Sequence, residues 1–256
     1  MSARLLPMAW IETQSPNFAA RHAEADGDDA DAVLELLEGI REQLSAVFAI
    51  VPQGVTVVIH SNPTQLALAQ PVSAVLRALT APASRRYVAG WYSSDEIHVL
   101  APRLLSARAS SVPGSLEMLM LAPAALYGQL VAGLSNPGLP PPFTPRSWLH
   151  AANWAWLAAG AGQWFSGQTA HARPAIANRL REGKQPSFPP RLRDAQLLGG
   201  TVFDLVASES GEQAAIRLAT EPPGDPRELI TRNFPGRSFG DTEGVWRAHL
   251  ARLAGV

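Results

Sequence analysis

The sequence contains no cysteine and few charged residues, and both shortages restrict its chemistry. Without cysteine the chain can form no disulfide, no thiolate zinc site and no cysteine nucleophile. Charged residues make up 17% of the 256 residues, against about 25% in ordinary soluble domains. The net charge is −1, so the composition gives no basic surface for nucleic acid or for an anionic membrane. We therefore expect no nucleic-acid partner.

The sequence also lacks the apolar segments that direct a chain to a membrane. Its first 18 residues contain no apolar core of about 7 to 15 residues, which a secretory signal requires. The most apolar stretch, Leu116–Leu134, is slightly shorter than the roughly 20 residues of a membrane span, and Pro123 interrupts it. No cluster of lysine or arginine flanks it. We expect a cytoplasmic protein without membrane insertion.

The first 112 residues are dominated by predicted strands. Gly54–His60 is a run of β-branched residues that ends at Asn62-Pro63, a pattern typical of a buried strand. Apolar residues at steps of three and four from Val33 to Val47 indicate an amphipathic helix. The predicted strands are Met8–Ile11, Asn17–Arg21, Gly54–His60, Tyr87–Tyr92 and Glu96–Leu100, and the predicted helices are Ala30–Phe48 and Thr64–Leu79, the latter interrupted at Pro71.

Beyond residue 112 the pattern becomes helical. Pro123 has no amide hydrogen, so it predicts either a kink in Leu116–Leu134 or a new helix that begins near Ala122. The other predicted helices are Trp148–Phe165, Ala175–Glu182, Leu192–Ser208, Gly211–Thr220 and Thr242–Leu253. We predict an α+β fold with a small sheet subdomain, residues 1–112, and a mainly helical subdomain, residues 113–256, as one compact unit.

Several short motifs follow one another in an order found in a known family. They are WIETQSPNF at 10–18, VTVVIH at 55–60, GWYSSDEIHVL at 90–100, W-L-x-x-G-x-x-x-W-F at 156–165, and G-x-S-F at 236–239 before VWRAHL. In these motifs the sequence resembles the peptidase MA-like family of gluzincin zinc metallopeptidases over nearly its whole length. The resemblance implies a thermolysin-like fold, in which a small mixed β-sheet packs on a mainly helical subdomain with a cleft between them.

In that family the cleft holds zinc, bound by HExxH on one helix and by a glutamate on a later helix. Two histidines four residues apart share a helix face, a carboxylate completes the ligand shell, and the inner glutamate activates the bound water. At the corresponding positions this chain has Pro123, Ala124 and Tyr127, and Ala159 replaces the third ligand. None of these side chains can activate water, so the resemblance implies a member without zinc peptidase activity.

Other catalytic patterns are missing as well. Glu96 and His98 share one face of a predicted strand, which is more typical of an ordinary strand face than of a metal site. The sequence has no Gly-x-Ser-x-Gly motif and no glycine-rich phosphate loop. No two histidines are four residues apart; they are His22, His60, His98, His150, His171 and His249. We predict neither a metal nor a cofactor.

Three residues are expected to line the cleft that the resemblance implies. Glu117 lies at the start of the apolar helix, and His150 and Trp154 lie near the start of the following predicted helix. Trp156 and Trp164 fall close to one face of that helix at about 100° per residue, so we expect them in the core.

We therefore expect a catalytically inactive metallopeptidase homologue whose former active-site groove binds a peptide or protein partner. Two alternatives remain. In the first, the groove carries rebuilt, non-zinc chemistry, which would show as a polar constellation with perturbed pKa values facing the cavity. In the second, the protein is a purely structural subunit, which would bury about 1,000 Å² or more against a partner. The low charge density is compatible with an oligomer.

Overall fold

The computed structural model describes residues 10–70, 87–222 and 224–255 and confirms an α+β chain with a mixed sheet. The five strands of the described residues have the order β1-β2-β3-β5-β4. β2, β3 and β5 are parallel, and β1 and β4 lie antiparallel at the two edges. The strands are β1 (Ile11–Gln14), β2 (Phe18–His22), β3 (Val55–His60), β4 (Gly90–Tyr92) and β5 (Glu96–Leu100).

Helices cover the inner face of the sheet and form most of the second half. α1 (Gly27–Ser45) packs on β2, and α2 (Pro63–Ala69) follows β3. The later helices of the described residues are α3 (Leu105–Arg108), α4 (Ser115–Met120), α5 (Ala122–Ser135), α6 (Pro145–Leu149), α7 (Ala151–Phe165), α8 (Gln168–His171), α9 (Arg173–Arg181), α10 (Leu192–Ser210), α11 (Glu212–Thr220), α12 (Pro226–Asn233) and α13 (Phe239–Ala254). Short 3₁₀ turns lie at Glu24–Asp26 and Pro102–Leu104.

Proline determines several of these helix boundaries. Pro123 lies in the first turn of α5, where its missing amide hydrogen breaks no helical bond, so the prediction of a new helix at Ala122 is confirmed. The prediction of one helix over Trp148–Phe165 is wrong. Thr144 and Ser147 form a capping box that starts α6 at Pro145, and His150 separates α6 from α7.

Other differences from the predicted elements are smaller. α12 was not predicted, although Asp225 before Pro226 is a helix-start signal. The Asp225 side chain accepts a hydrogen bond from the amide of Arg227 at 2.9 Å. The short helices α3 and α8 were not predicted either. Met8 and the second half of the predicted helix Thr64–Leu79 lie outside the described residues.

The main core is shared between the sheet and the helical half. Inner-face residues of the strands, such as Val57 and Ile97, belong to the same buried cluster as side chains of α1, α5, α7 and α10. A second, smaller cluster lies on the outer face of the sheet and contains Leu66, Trp91, Leu100, Leu105 and Leu119, with neighbouring alanines. The subdomain boundary near residue 112 stays a prediction. Residues on both sides of it contribute side chains to the main core.

Glycine allows the central helices to approach closely. α7 meets α5 where Gly162 contacts Ala125, Gly128 and Gln129. On its other side α7 meets α10, where a Cβ added at Gly160 would lie 2.7 Å from the carbonyl oxygen of Gly199. At both crossings a Cβ on the glycine would meet backbone atoms of the neighbouring helix, so glycine is needed for this close approach.

Candidate functional site

The positions that correspond to the zinc site of the resembled family are buried. Pro123 and Ala124 lie in the first turn of α5 and Tyr127 in its second, and Ala159 lies in the middle of α7. Ala124 and Ala159 are each 1% exposed, and Tyr127 is fully buried. The Tyr127 hydroxyl is the only side-chain polar group among the four. These residues give a metal ion no ligand shell.

Tyr127 is held by contacts with the sheet half. Its hydroxyl donates a hydrogen bond to the carbonyl oxygen of Pro52 at 2.7 Å, and its ring packs edge-to-face against Phe18 with centroids 5.0 Å apart. Burial raises the pKa of this phenol to about 12, while the nearby Arg41 guanidinium opposes the shift. Tyr127 therefore stays neutral near pH 7 and acts as a structural donor.

Tyr127 and Ala159 do not face each other. Gly162 on α7 contacts Ala125 and Gly128 of α5. Tyr127 follows Ala125 by two residues, which is about 200° around a helix, and its ring accordingly faces β2. In the register of the resemblance, a histidine at position 127 would therefore face the sheet and not α7.

The region between the edge strand β4 and the start of α7 is filled by an aromatic cluster, which consists of Tyr92, Phe143, Trp148 and Trp154. Phe143 lies 5.2 Å from Tyr92, 5.5 Å from Trp148 and 6.4 Å from Trp154, measured between ring centroids. Trp154 is 8% exposed, and its indole N–H donates to the carbonyl oxygen of Ser147 at 2.8 Å. Trp154, predicted to line a groove, is therefore packed within this cluster.

The proline-rich connector 137–145 closes the same region from outside. Pro140 and Pro141 are buried, and a Cβ added at Gly133 of α5 would lie 2.7 Å from Pro141 Cδ. The fully buried Asn136 anchors the start of the connector, because its side-chain amide donates to the carbonyl oxygens of Ala219 and Glu221 at 3.1 and 2.6 Å. The connector is therefore a packed part of the structure.

The two other residues predicted to line the groove are exposed and lie on different elements. Glu117 lies on α4, which packs against α3, α5 and α8. His150 lies between α6 and α7, and its Nδ1 is 2.9 Å from the carbonyl oxygen of Arg146, so Nδ1–H donates to that oxygen. Neither is part of a polar constellation of the kind that rebuilt chemistry in the groove requires.

A polar constellation with perturbed pKa values does exist, on the outer face of the sheet. His60 Nε2 lies 3.0 Å from His98 Nδ1, and His98 Nε2 lies 3.2 Å from a carboxylate oxygen of Glu96. Burial and the neighbouring His98 lower the pKa of His60 to about 4. Burial also lowers the pKa of His98, although Glu96 opposes the shift.

The sequence indicated half of this constellation. Glu96 and His98 are two residues apart on β5 and were predicted to lie on the same face of the strand. This prediction is confirmed. His60 could not be placed beside them, because only the parallel register of β3 and β5 sets Val58 opposite His98 and brings His60 to the neighbouring outward position. Over residues 10–70, 87–222 and 224–255, no three histidine, aspartate or glutamate side chains are arranged to hold a metal ion.

No helix in the described part of the chain is both long enough and apolar enough to cross a bilayer. A scan against models of protein families found no match to the chain, and a search of curated proteins found none either.

The hydroxyl of Tyr127 offers a direct test of its structural role. We expect Tyr127→Phe to lower the free energy of unfolding by about 1 kcal/mol, because the carbonyl of the half-buried Pro52 loses its donor. Urea unfolding followed by circular dichroism measures this change. Ser45→Ala is the control, since that exposed hydroxyl also donates to a backbone carbonyl but should matter little. Equal effects of the two substitutions would contradict this role for Tyr127.

Proposed function

We propose that the protein is a non-catalytic binding protein, an inactive relative of the zinc metallopeptidases of the peptidase MA-like family. The observation that carries the proposal is the burial of Pro123, Ala124, Tyr127 and Ala159, which offer no metal ligand set and no base. Further support comes from the order of elements: an antiparallel edge strand β4 precedes α5 under the sheet, and α7 then crosses α5.

An exposed apolar residue beside the aromatic cluster supports a role in binding another molecule rather than a role in the packing of the protein itself. Leu149 at the end of α6 is 83% exposed, while its neighbour Trp148 packs against Phe143 and Trp154. We take the exposed Leu149 side chain, beside this cluster, as the point of contact for an apolar segment of another polypeptide. The partner we propose is a peptide or an unfolded stretch of protein.

Metal content and peptide hydrolysis test the non-catalytic part of the proposal. Purified protein that has been incubated with excess zinc and then dialysed should retain far less than one zinc ion per chain. The same sample should leave fluorescein-labelled casein uncleaved, because no water-activating group is available. Stoichiometric zinc together with chelator-sensitive cleavage would overturn the proposal.

The binding part is tested separately by fluorescence anisotropy with the same labelled casein. We expect the wild-type protein to bind it and Leu149→Ser to bind it several-fold more weakly. Leu68→Ser is the matched control, since Leu68 is 69% exposed but lies on α2. Absence of binding by the wild-type protein, or equal loss in both variants, would favour the structural-subunit alternative.

A further inference from the structure

The outer face of the sheet carries a chain of polar side chains that leads from solvent to a buried atom. Arg21 on β2 lies 3.7 Å from a carboxylate oxygen of Glu12 and 3.8 Å from one of Glu96. Glu96 contacts His98, and His98 contacts His60. The side chain of Glu96 is 37% exposed and that of His98 is 12% exposed, while His60 is 4% exposed as a residue. The chain therefore becomes less accessible at each step.

The two imidazoles meet in line. Their centroids are 5.3 Å apart, their planes differ by 18°, and the facing nitrogens are separated by 3.0 Å. The centroid separation is accounted for by the nitrogen–nitrogen distance together with the short distance from each centroid to its own nitrogen. Each nitrogen therefore points almost directly at the other. This geometry has room for one hydrogen atom between the rings.

The positions of the hydrogens follow from Glu96. Its ionised carboxylate accepts from His98 Nε2–H, so His98 Nδ1 is the unprotonated nitrogen and accepts from His60 Nε2–H. His60 Nδ1 then carries no hydrogen; it is buried and has no hydrogen-bond partner in the described part of the chain. One added proton on His98 Nδ1 makes His98 an imidazolium that Glu96 can stabilise, provided that the hydrogen of His60 moves from Nε2 to Nδ1 so that Nε2 becomes the acceptor. A second would place two N–H groups, both on cations, against each other.

Several elements cover this pair. Trp10, just before β1, stands edge-on to His60 with ring centroids 6.3 Å apart, and Trp91 of β4 lies 4.8 Å from His98. Leu66 of α2 and Leu105 of α3 belong to the apolar cluster on the same face. α2 carries no charged side chain.

Arg108, the charged residue of α3, donates to the carbonyl oxygen of Val88 at 3.0 Å, and several other charged groups on this side of the sheet have partners of opposite charge. Glu12 and Arg21 on β1 and β2 pair with each other, and Arg21 also contacts Glu96. Beyond the end of β3, Asp26 accepts from Ser61 at 2.6 Å and pairs with Arg103. The two histidines are groups on this face whose affinity for protons rises when the face opens, since burial lowers the pKa of both.

We propose that His60 and His98 form an acid-sensitive latch, which holds Trp10, α2 and α3 on the outer face of the sheet and releases them when the pair takes up protons. This role is independent of the proposed binding at Leu149. It gives the protein a response to mildly acidic conditions without any ligand.

The sign of the pH effect follows from the direction of the pKa shifts. The pKa of His60 is lowered in the closed state to about 4, and that of His98 is also lowered, whereas an opened pair has ordinary histidine values near 6.5. The open state therefore binds more protons below about pH 6.5. Closure is fully favoured above that pH and is progressively weakened as the pH falls towards about 4.

Hydrogen exchange measured by mass spectrometry at about pH 7 and about pH 5 tests the latch. After correction for intrinsic exchange rates, we expect residues 55–69 and 102–108 to lose protection by at least about 20-fold at the lower pH, the factor given by one histidine with an open-state pKa near 6.5. α10, which lies in the main core, should keep its protection.

His60→Gln separates the latch from a general effect of acid. The glutamine amide can donate to His98 in place of Nε2–H but does not titrate, so most of the loss of protection should disappear. His22→Gln is the matched control: His22 is 2% exposed in the same sheet, its ring nitrogens contact Thr13 and the carbonyl oxygen of Ala23, and its variant should keep the wild-type response.

Two results would overturn the proposal. One is unchanged protection of residues 55–69 at both pH values in the wild-type protein, and the other is a full acid response in His60→Gln. If that variant does not fold, an NMR titration of the wild-type ring carbons decides the question. His60 titrating near 6.5 while the cover stays protected would contradict the latch.

Discussion

Replacing Trp154 by alanine should lower the free energy of unfolding by about 3 to 5 kcal/mol, the range for truncating a buried aromatic side chain. The reason lies in the aromatic cluster. Trp154 is 8% exposed and contacts Phe143 and Trp148, and its indole N–H supplies the donor for the carbonyl of Ser147. Alanine would leave a cavity and remove one of the two donors to this carbonyl, which also accepts from the amide of His150.

Trp148→Ala is the matched control for this prediction. Trp148 touches Phe143 and Trp154 but is only half-buried, so less apolar area is lost and the cost should be clearly smaller. Thermal or urea unfolding of both variants measures the difference. A loss below about 1 kcal/mol in Trp154→Ala would show that the region between β4 and α7 is open in solution, as an accessible groove requires.

The Trp154 prediction also bears on function, because the aromatic cluster occupies the place where a groove was expected. The sequence could show four aromatic residues close together, but not that Phe143, seven residues before His150, would fold back over β4. That position depends on the anchoring of Asn136 on α11 and on the packing of Pro140 and Pro141 against Gly133. These are contacts between residues far apart in sequence, and local patterns do not encode them.

Sequence patterns predicted the elements that are determined by residues close together in the sequence. The run VTVVIH predicted β3, and Pro123 predicted where α5 begins, since each depends only on side-chain type and backbone chemistry. The break at His150 was missed, because the capping box of Thr144 and Ser147 competes with an apolar pattern that continues through it.

The candidate sites depend on register, which the sequence does not determine. Glu96 and His98 could be paired from their spacing, but their contact with His60 arises from the pairing of β3 with β5. Likewise, the sequence alone shows that Pro123, Ala124, Tyr127 and Ala159 provide no set of zinc ligands. The direction of Tyr127 towards Phe18 follows only from how α5 is rotated against the sheet.

That rotation of α5 is itself set by α7, whose position depends on glycine, and this leads to the second large effect. We expect Gly199→Ala on α10 to lower the free energy of unfolding by about 2 to 3 kcal/mol. The added Cβ would lie 2.6 Å from the carbonyl oxygen of Trp156 and 2.9 Å from the amide nitrogen of Gly160. Both are backbone atoms inside a helix, so neither can move aside without separating α7 from α10.

Gly39→Ala on α1 is the control for Gly199→Ala. No atom lies within 4 Å of a Cβ placed at Gly39, so alanine should stabilise that helix by about 0.5 to 1 kcal/mol through its higher helix propensity. The same propensity gain is present at Gly199, and the steric cost must exceed it. Urea unfolding of the two variants should therefore move the midpoint in opposite directions. A stabilised Gly199→Ala would mean that α7 and α10 are further apart in solution, and the rotation of Tyr127 away from α7 would then lose its structural cause.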